Sequence, residues 1–122
     1  MQDRPTAPEL LDAMAADLYS EVREWVPRER RFRVLVLANL CAVIARELRA
    51  GEEPSREDLE LFNALSDSPV EDAREAAGDL AAAIRRGDLD ERLPEAIAGL
   101  REHVARKLEV ARPGYAVSAG DA

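Results

Sequence analysis

Few side chains in this sequence could carry out catalysis or bind a metal. His103 is the only histidine and Cys41 the only cysteine, and Cys41 lies within an apolar run. A thiol in such surroundings is normally an inert packing group, so we do not expect a cysteine–histidine catalytic pair. One histidine without a further ligand at metal-binding spacing predicts no metal site, and singly scattered glycines predict no phosphate-binding loop. The sequence therefore predicts no catalytic residue, no metal and no cofactor.

Carboxylates are plentiful, but their positions indicate surface roles. Residues such as Glu57 and Asp58 fall in the first turns of predicted helices, where the positive end of the helix dipole favours anions. A general acid–base pair would need at least one buried member, and the sequence places none of the carboxylates in apolar surroundings. One enzymatic alternative stays open, because Arg46, Glu47 and His103 could act together if they converged in a cleft.

Asn39 is the polar residue that the pattern singles out. It lies in the run VLVLANLCAVIA, residues 34–45, where the other eleven residues are apolar. Positions seven apart nearly superimpose on a helix, so Phe32, Asn39 and Arg46 are expected to share one stripe. An unpaired buried amide costs about 1–3 kcal/mol, so we expect Asn39 to be buried and hydrogen-bonded. Its partner could be a backbone group of the fold, a second helix whose register or subunit pairing it fixes, or an external ligand.

Five helices are the elements that must position these side chains. Capping residues, apolar spacing and Pro or Gly breaks predict them at about residues 6–27, 28–49, 55–65, 68–87 and 94–110. A strand at residues 34–37 is an alternative, but the length of the pattern favours a helix. The fold class is therefore all-α, a compact bundle of about five helices with a central, largely apolar second helix. We expect residues 1–122 to form a single helical-bundle domain, with residues 115–122 as a flexible tail.

The second helix should be buried on most sides, because it is apolar all round. It would then lie either at the centre of the bundle or between subunits. It is not expected to span a membrane, since a bilayer needs about 20 mainly apolar residues. This run has twelve residues between Arg33 and Arg46.

Charge and composition narrow the partners and the compartment. The net charge is −8 and no basic stripe offsets it, so we expect binding neither to nucleic acid nor to a membrane surface. The N-terminus does not resemble a secretory signal, and a single cysteine provides no disulfide framework. We therefore predict a cytoplasmic location.

Three stretches of the sequence carry a family resemblance: RPTAPELLDAM (residues 4–14), RFRVLVLANLCAVIARE (residues 31–47) and ARPGY (residues 111–115). They resemble an uncharacterised family of short bacterial proteins, a domain of unknown function. In the middle stretch the likeness rests on Phe32, Asn39, Arg46 and Glu47. Such proteins resemble the gene neighbours of aminoglycoside-kinase-like phosphotransferases and acyl-CoA dehydrogenases. The resemblance implies an accessory role beside such an enzyme.

Two hypotheses for function follow from these observations. The first is a non-catalytic accessory or interaction protein that forms a homo-oligomer, with a dimer favoured, and has a kinase-like or acyl-CoA dehydrogenase partner. The alternative is a module that binds a small apolar or acyl-type ligand in a pocket beside Asn39. The expected lining of that pocket is Trp25, Phe32, Leu35, Asn39 and Val43. The candidate ligand or interface residues are Phe32, Asn39, Arg46, Glu47 and Trp25.

Overall fold

The computed structural model describes residues 3–115, which form helices joined by short turns. No strand occurs within this range, so the all-α prediction is confirmed. No helix in the described part of the chain combines the length and the hydropathy that a membrane span requires. The flexible tail predicted for residues 115–122 lies, apart from Tyr115, outside the described residues.

The described residues divide into two compact units. Unit 1 contains residues 3–51 together with Val110–Arg112, and unit 2 contains residues 52–109 together with 113–115. Each unit has its own set of packed helices. The single domain expected over residues 1–122 stays a prediction.

Unit 1 begins with helix α1 (Ala7–Asp17), which starts at a capping box. The Thr6 hydroxyl accepts a hydrogen bond from the Glu9 N–H, and the Glu9 carboxylate accepts one from the Thr6 N–H. The chain then continues through a π-helical segment (Leu18–Val22) and a short helix α2 (Arg23–Trp25). The predicted start of the first helix is confirmed, because this threonine and this glutamate cap it.

Helix α3 (Arg31–Ala50) is the second predicted helix and contains the whole apolar run. It follows a 3₁₀ turn (Arg28–Arg30), so the predicted start lies up to three residues early. Gly51 ends the helix with φ at 65°, in the region that favours glycine, and its N–H donates to the Glu47 carbonyl. A strand at residues 34–37 is excluded.

Helices α1 and α3 pack antiparallel, and the contact covers one side of α3. Two ion pairs show the direction. Asp12, in the middle of α1, pairs with Arg49 at the end of α3, whereas Glu24 Oε2 in the later helix α2 lies 3.9 Å from a guanidinium nitrogen of Arg31 at the start of α3. The buried residues of α3 are Val34, Ala38 and Ala45. Within unit 1 this helix is therefore buried on one side, rather than on most sides as the sequence suggests, because α1 and its continuation pack against that side.

Unit 2 contains helices α4 (Glu53–Ala64) and α5 (Ala73–Arg86), a 3₁₀ turn (Asp90–Arg92), and all but the last two residues of helix α6 (Leu93–Ala111). The predicted bounds of the last helix agree with the structure to within one residue. Helix α4 begins two residues earlier than predicted, so Ser55 lies inside the helix and does not cap it.

Helix α5 starts about four residues later than the sequence predicts, because Asn63 holds the preceding segment out of helical conformation. The Asn63 amide donates to the Val70 carbonyl at 2.8 Å, and its Oδ1 accepts from the Val70 N–H at 3.1 Å. The cap is Asp72 in place of Ser68, and its carboxylate accepts from the Glu75 N–H at 3.1 Å.

An apolar core occupies the centre of unit 2. Its buried members come from all three helices and the turn before α6: Phe62, Leu65, Ala76, Leu80, Leu89 and Ala96. Gly99 of α6 faces the Leu61 side chain of α4, since a Cβ atom on Gly99 would lie 2.5 Å from Leu61 Cδ1. Polar side chains of α4 and α6 also meet, since Arg106 donates a hydrogen bond to Asp58.

Candidate functional site

One face of α3 is apolar and open to solvent. Six large side chains on it are 40–76% exposed: Phe32, Val36, Leu37, Leu40, Ile44 and Leu48. We call these six residues the open face. At about 100° of rotation per residue, they point away from the side of α3 that packs on α1. Contiguous apolar patches on soluble proteins mark interaction sites, so the open face is the leading candidate for a functional surface.

Two charged residues lie among the apolar side chains of the open face. Arg33 and Glu47 are both exposed, and each is seven residues from Leu40, so the three side chains follow one line along the helix. Neither makes an ion pair within the described part of the chain, whereas Arg31 and Arg49 do. Arg33 and Glu47 cannot pair with each other, because the helix separates them by about 21 Å.

Asn39 is exposed, so the expectation of a buried amide is wrong. Helix α1 packs against small residues of α3 such as Ala38, and Asn39 lies about 100° further round the helix, on the flank of that contact. Its amide makes no hydrogen bond to another described residue. Because solvent can reach this amide, no desolvation cost demands a protein partner for it.

The other candidate residues have different surroundings. Phe32 is 76% exposed on the open face. Arg46 is half-buried, and its Nε donates to the backbone carbonyl of Val110, a residue of the same unit, at 2.6 Å. Trp25, at the end of α2, is 72% exposed. Of the predicted candidates, Phe32 and Glu47 therefore belong to the same surface, whereas Arg46 has a structural contact.

A shallow groove runs beside Asn39 between α1 and α3. Its volume is about 460 Å³, within the range of small-molecule sites, but it is open to solvent. The lining is mostly alanine: Ala15, Ala16, Tyr19, Leu35, Ala38, Asn39 and Ala42. The small side chains of both helices create this space. Of the five residues predicted to line a pocket, Leu35 and Asn39 do so here.

Unit 2 holds a polar cluster that the sequence pattern does not predict. It consists of Asp58, His103 and Arg106, and we call it the Asp58 cluster. The Nδ1 atom of His103 on α6 lies 2.8 Å from Asp58 Oδ1 on α4, and the Arg106 guanidinium donates to the same oxygen at 2.6 Å. The Phe62 ring meets the His103 ring edge-on, with centroids 5.1 Å apart. The Asp58 side chain is only 16% exposed, so it is not the solvent-facing carboxylate that the sequence suggests, although the partners of its carboxylate are polar. The available signal was the spacing, since Asp58 and Phe62 are four apart on α4, and His103 and Arg106 three apart on α6.

The charge state of Asp58 follows from these contacts. Partial burial alone would raise the pKa of this carboxyl, but the interactions with His103 and Arg106 outweigh it, so the pKa of Asp58 lies below its ordinary value. The carboxylate is therefore ionised at neutral pH and joins α4 to α6. No group of three or more histidine, cysteine or acidic side chains placed to hold a metal occurs among residues 3–115.

His103 is occupied by these partners in unit 2. The enzymatic alternative requires His103 to act with Arg46 and Glu47, which are residues of unit 1. Arg46 already donates to a backbone carbonyl, and Glu47 lies on the open face. The contacts described for each of these three side chains give no support to a shared catalytic role.

A family model described as a domain of unknown function (DUF6285) matches residues 24–115. The chain belongs to this family. The DUF6285 match begins within α2 and includes α3, α4, α5 and α6, so the open face and the Asp58 cluster both lie inside it. All five candidate residues, from Trp25 to Glu47, lie inside it as well. Neither a curated protein nor a solved structure matches the chain.

Proposed function

We propose that this DUF6285 protein is a non-catalytic interaction protein that acts by association through the open face of α3. The observation that carries the proposal is the set of six large apolar side chains, 40–76% exposed, along one side of a 20-residue helix. Fully burying one such side chain contributes about 1.5–3 kcal/mol. Six of them can supply affinity even after the entropic cost of association. A homo-oligomer, with a dimer favoured, is the simplest product, because every copy carries the same face.

A kinase-like or acyl-CoA dehydrogenase partner is the second part of the proposal. It rests on the resemblance to proteins encoded beside such enzymes. Exposed aromatic side chains are frequent anchors of protein interfaces, and Trp25 and Phe32 are 72% and 76% exposed. These two aromatic residues are the proposed anchors for such a partner.

Substituting Leu40, at the centre of the open face, tests the proposal. We expect Leu40→Glu to abolish self-association in size-exclusion chromatography with light scattering, and to abolish retention of a co-expressed partner enzyme. The matched control is Ile84→Glu on α5, since Ile84 is 40% exposed and Leu40 is 49% exposed. Unchanged mass and unchanged partner retention in Leu40→Glu would show that the open face is not an interaction surface.

A second candidate function is favoured by the groove beside Asn39. In this alternative the groove binds a small apolar or acyl-type ligand. The alanine-rich walls would contact the apolar part of the ligand, and the Asn39 amide would bind its polar group. A fluorescent fatty acid titrated into the protein tests it. Filling the groove with Ala16→Phe should abolish binding, whereas Ala98→Phe at an exposed position of α6 should leave it unchanged. Equal binding by both variants would exclude the groove.

A further inference from the structure

We propose that two copies of this chain pair through their open faces as an antiparallel α3–α3 contact, with the two-fold axis at Leu40. The proposal rests on the proposed function, because it names the occupant of the interaction surface and the geometry of the pairing. It follows from the positions of charged and apolar residues along the open face.

Two oppositely charged residues, Arg33 and Glu47, lie at equal distances on either side of Leu40 along the centre of the open face. Arg33 lies seven residues before Leu40 and Glu47 seven residues after it, so each charge is about 10.5 Å from the middle. Both side chains are exposed and neither has an ion-pair partner among the described residues. In a two-fold contact, residue i of one copy meets residue j of the other, and residue j meets residue i.

Charge decides between the two orientations that a two-fold helix pair can adopt. An antiparallel pair crossing at Leu40 brings Arg33 beside Glu47 of the partner subunit, and it does so twice. A parallel pair would bring Arg33 beside Arg33 of the partner subunit and would set the two glutamates together. Like charges opposite each other disfavour a pairing, so the antiparallel orientation is the one this helix encodes.

The apolar residues obey the same symmetry. Val36 and Ile44 lie four residues on either side of Leu40, so an antiparallel crossing sets Val36 against Ile44 of the partner subunit. Phe32 and Leu48 lie eight residues on either side and meet in the same way at the ends of the contact. All four side chains are at least 40% exposed in the single chain. Apolar burial therefore supplies the affinity, and the charge pairs set the direction, as exposed ion pairs contribute little by themselves.

Disulfide trapping tests the position of the axis. In a Cys41→Ser background, Leu40→Cys should link to Leu40→Cys of the partner subunit on mild oxidation, because a residue on a two-fold axis meets itself. Val36→Cys should not link to itself, since its two copies are about 12 Å apart along the helices. A disulfide needs Cα atoms within about 7 Å. Val36→Cys mixed with Ile44→Cys should form the heterodimer. Self-linking at residue 36 without self-linking at residue 40 would overturn the proposal.

Charge reversal tests the orientation independently. Arg33→Glu alone and Glu47→Arg alone each create two like-charge pairs, and we expect the dimer dissociation constant to rise about tenfold at low salt. The double variant Arg33→Glu with Glu47→Arg restores both pairs and should return to within about twofold of the original affinity. A double variant at least as weak as the single ones would overturn the antiparallel pairing. Circular dichroism of each variant verifies that α3 is folded.

The outcomes separate this inference from the proposed function. A protein that dimerises, loses the dimer in Leu40→Glu and yet shows no self-linking at residue 40 keeps the proposed function and loses the antiparallel axis. If the protein is monomeric at all concentrations but retains a partner enzyme through the open face, the proposed function likewise holds and the antiparallel pairing is overturned. A monomer that retains no partner overturns both.

Discussion

The two units of this chain bury their apolar residues to very different degrees. Unit 2 encloses large side chains, Phe62, Leu65, Leu80 and Leu89 among them, each at most 4% exposed. The buried residues of unit 1 are Val34, Ala38 and Ala45, two of them alanine, while the six residues of the open face stay exposed. Helical stability in proteins comes mainly from packing an apolar face, and α3 has packed only one side within its unit. The difference shows that unit 2 has a core of large side chains, whereas α3 of unit 1 keeps its large side chains in solvent. Unit 2 has exposed apolar residues as well, since Leu93, Ile97 and Val104 on α6 are 46–50% exposed.

The largest expected difference between the two units is the change in stability when a phenylalanine of each is replaced by alanine. Phe62 is 4% exposed and Phe32 is 76% exposed. We expect Phe62→Ala to lower the free energy of unfolding by about 3–5 kcal/mol, because it leaves a cavity in the core of unit 2. Phe32→Ala in dilute solution should change it by less than about 0.5 kcal/mol. Urea unfolding followed by circular dichroism measures both values, and similar losses for the two variants would contradict the contrast between the units.

Because of the Asp58 cluster, the free energy of unfolding of unit 2 should fall at acidic pH. The lowered pKa of Asp58 means that the stability it contributes is fully present above the ordinary carboxyl pKa near 4. That contribution is lost as the pH falls through the lowered pKa of the folded state. At neutral pH, Asp58→Asn should cost about 1–3 kcal/mol, because it removes the hydrogen bond between the carboxylate and the Arg106 guanidinium.

The difference between Asp58→Asn and the original protein should shrink below pH 4. Urea unfolding from pH 7 to pH 2 follows this change. Asp79→Asn is the control, since Asp79 is exposed and has no ion pair among the described residues. A pH-independent difference between Asp58→Asn and the original protein would show that the cluster does not act through this carboxylate.

Two glycines give a smaller and sharper comparison inside unit 2. A Cβ atom on Gly99 would lie 2.5 Å from Leu61 Cδ1, whereas one on Gly78 would meet nothing within 4 Å. Gly78→Ala should raise the free energy of unfolding by about 1 kcal/mol, from helix propensity alone. Gly99→Ala gains the same propensity but must displace the Leu61 side chain, at a cost of about 1–3 kcal/mol. A lower stability for Gly99→Ala than for Gly78→Ala in urea unfolding is the expected result, and equal stabilisation would mean that the Leu61 side chain moves aside without cost.

Asn39 should give the smallest effect. Because this amide is exposed and makes no hydrogen bond within residues 3–115, Asn39→Ala should change the free energy of unfolding by less than about 0.5 kcal/mol. A buried and hydrogen-bonded amide, as the sequence pattern suggests, would instead cost about 1–3 kcal/mol on removal. Thermal and urea unfolding of Asn39→Ala distinguish an exposed amide from a buried one. A large loss would restore the idea that Asn39 fixes a packing contact.

Local signals account for the parts of the fold that sequence reasoning predicts correctly. The capping box at Thr6 and Glu9 and the terminator at Gly51 involve residues close together in the chain, and each lies where it was expected. The start of α5 depends on Asn63 and Val70, which pair through the fold and not through helical spacing. Long-range contacts of this kind leave no periodic pattern.

The candidate surface was predictable in composition but not in orientation. The apolar pattern of α3 singles out this helix, yet it cannot say which side α1 covers, because every side is apolar. Small residues decide that choice: Ala38 and Ala45 allow α1 to approach closely, and this leaves Leu40 and Asn39 exposed. The Asp58–His103 contact likewise depends on how α4 and α6 pack. The sequence shows how these residues are spaced along each helix, but it does not show that the two residues meet.

Hydrogen–deuterium exchange at several protein concentrations tests the central claim most directly. If the open face is where two copies associate, amide protection in peptides covering α3 should rise with concentration, because dimerisation suppresses local opening of this helix. Peptides covering α4 and α5 in unit 2 should keep the same protection throughout, since their core is already buried. Protection of α3 that does not change with concentration, in a protein that also retains no partner, would contradict the account.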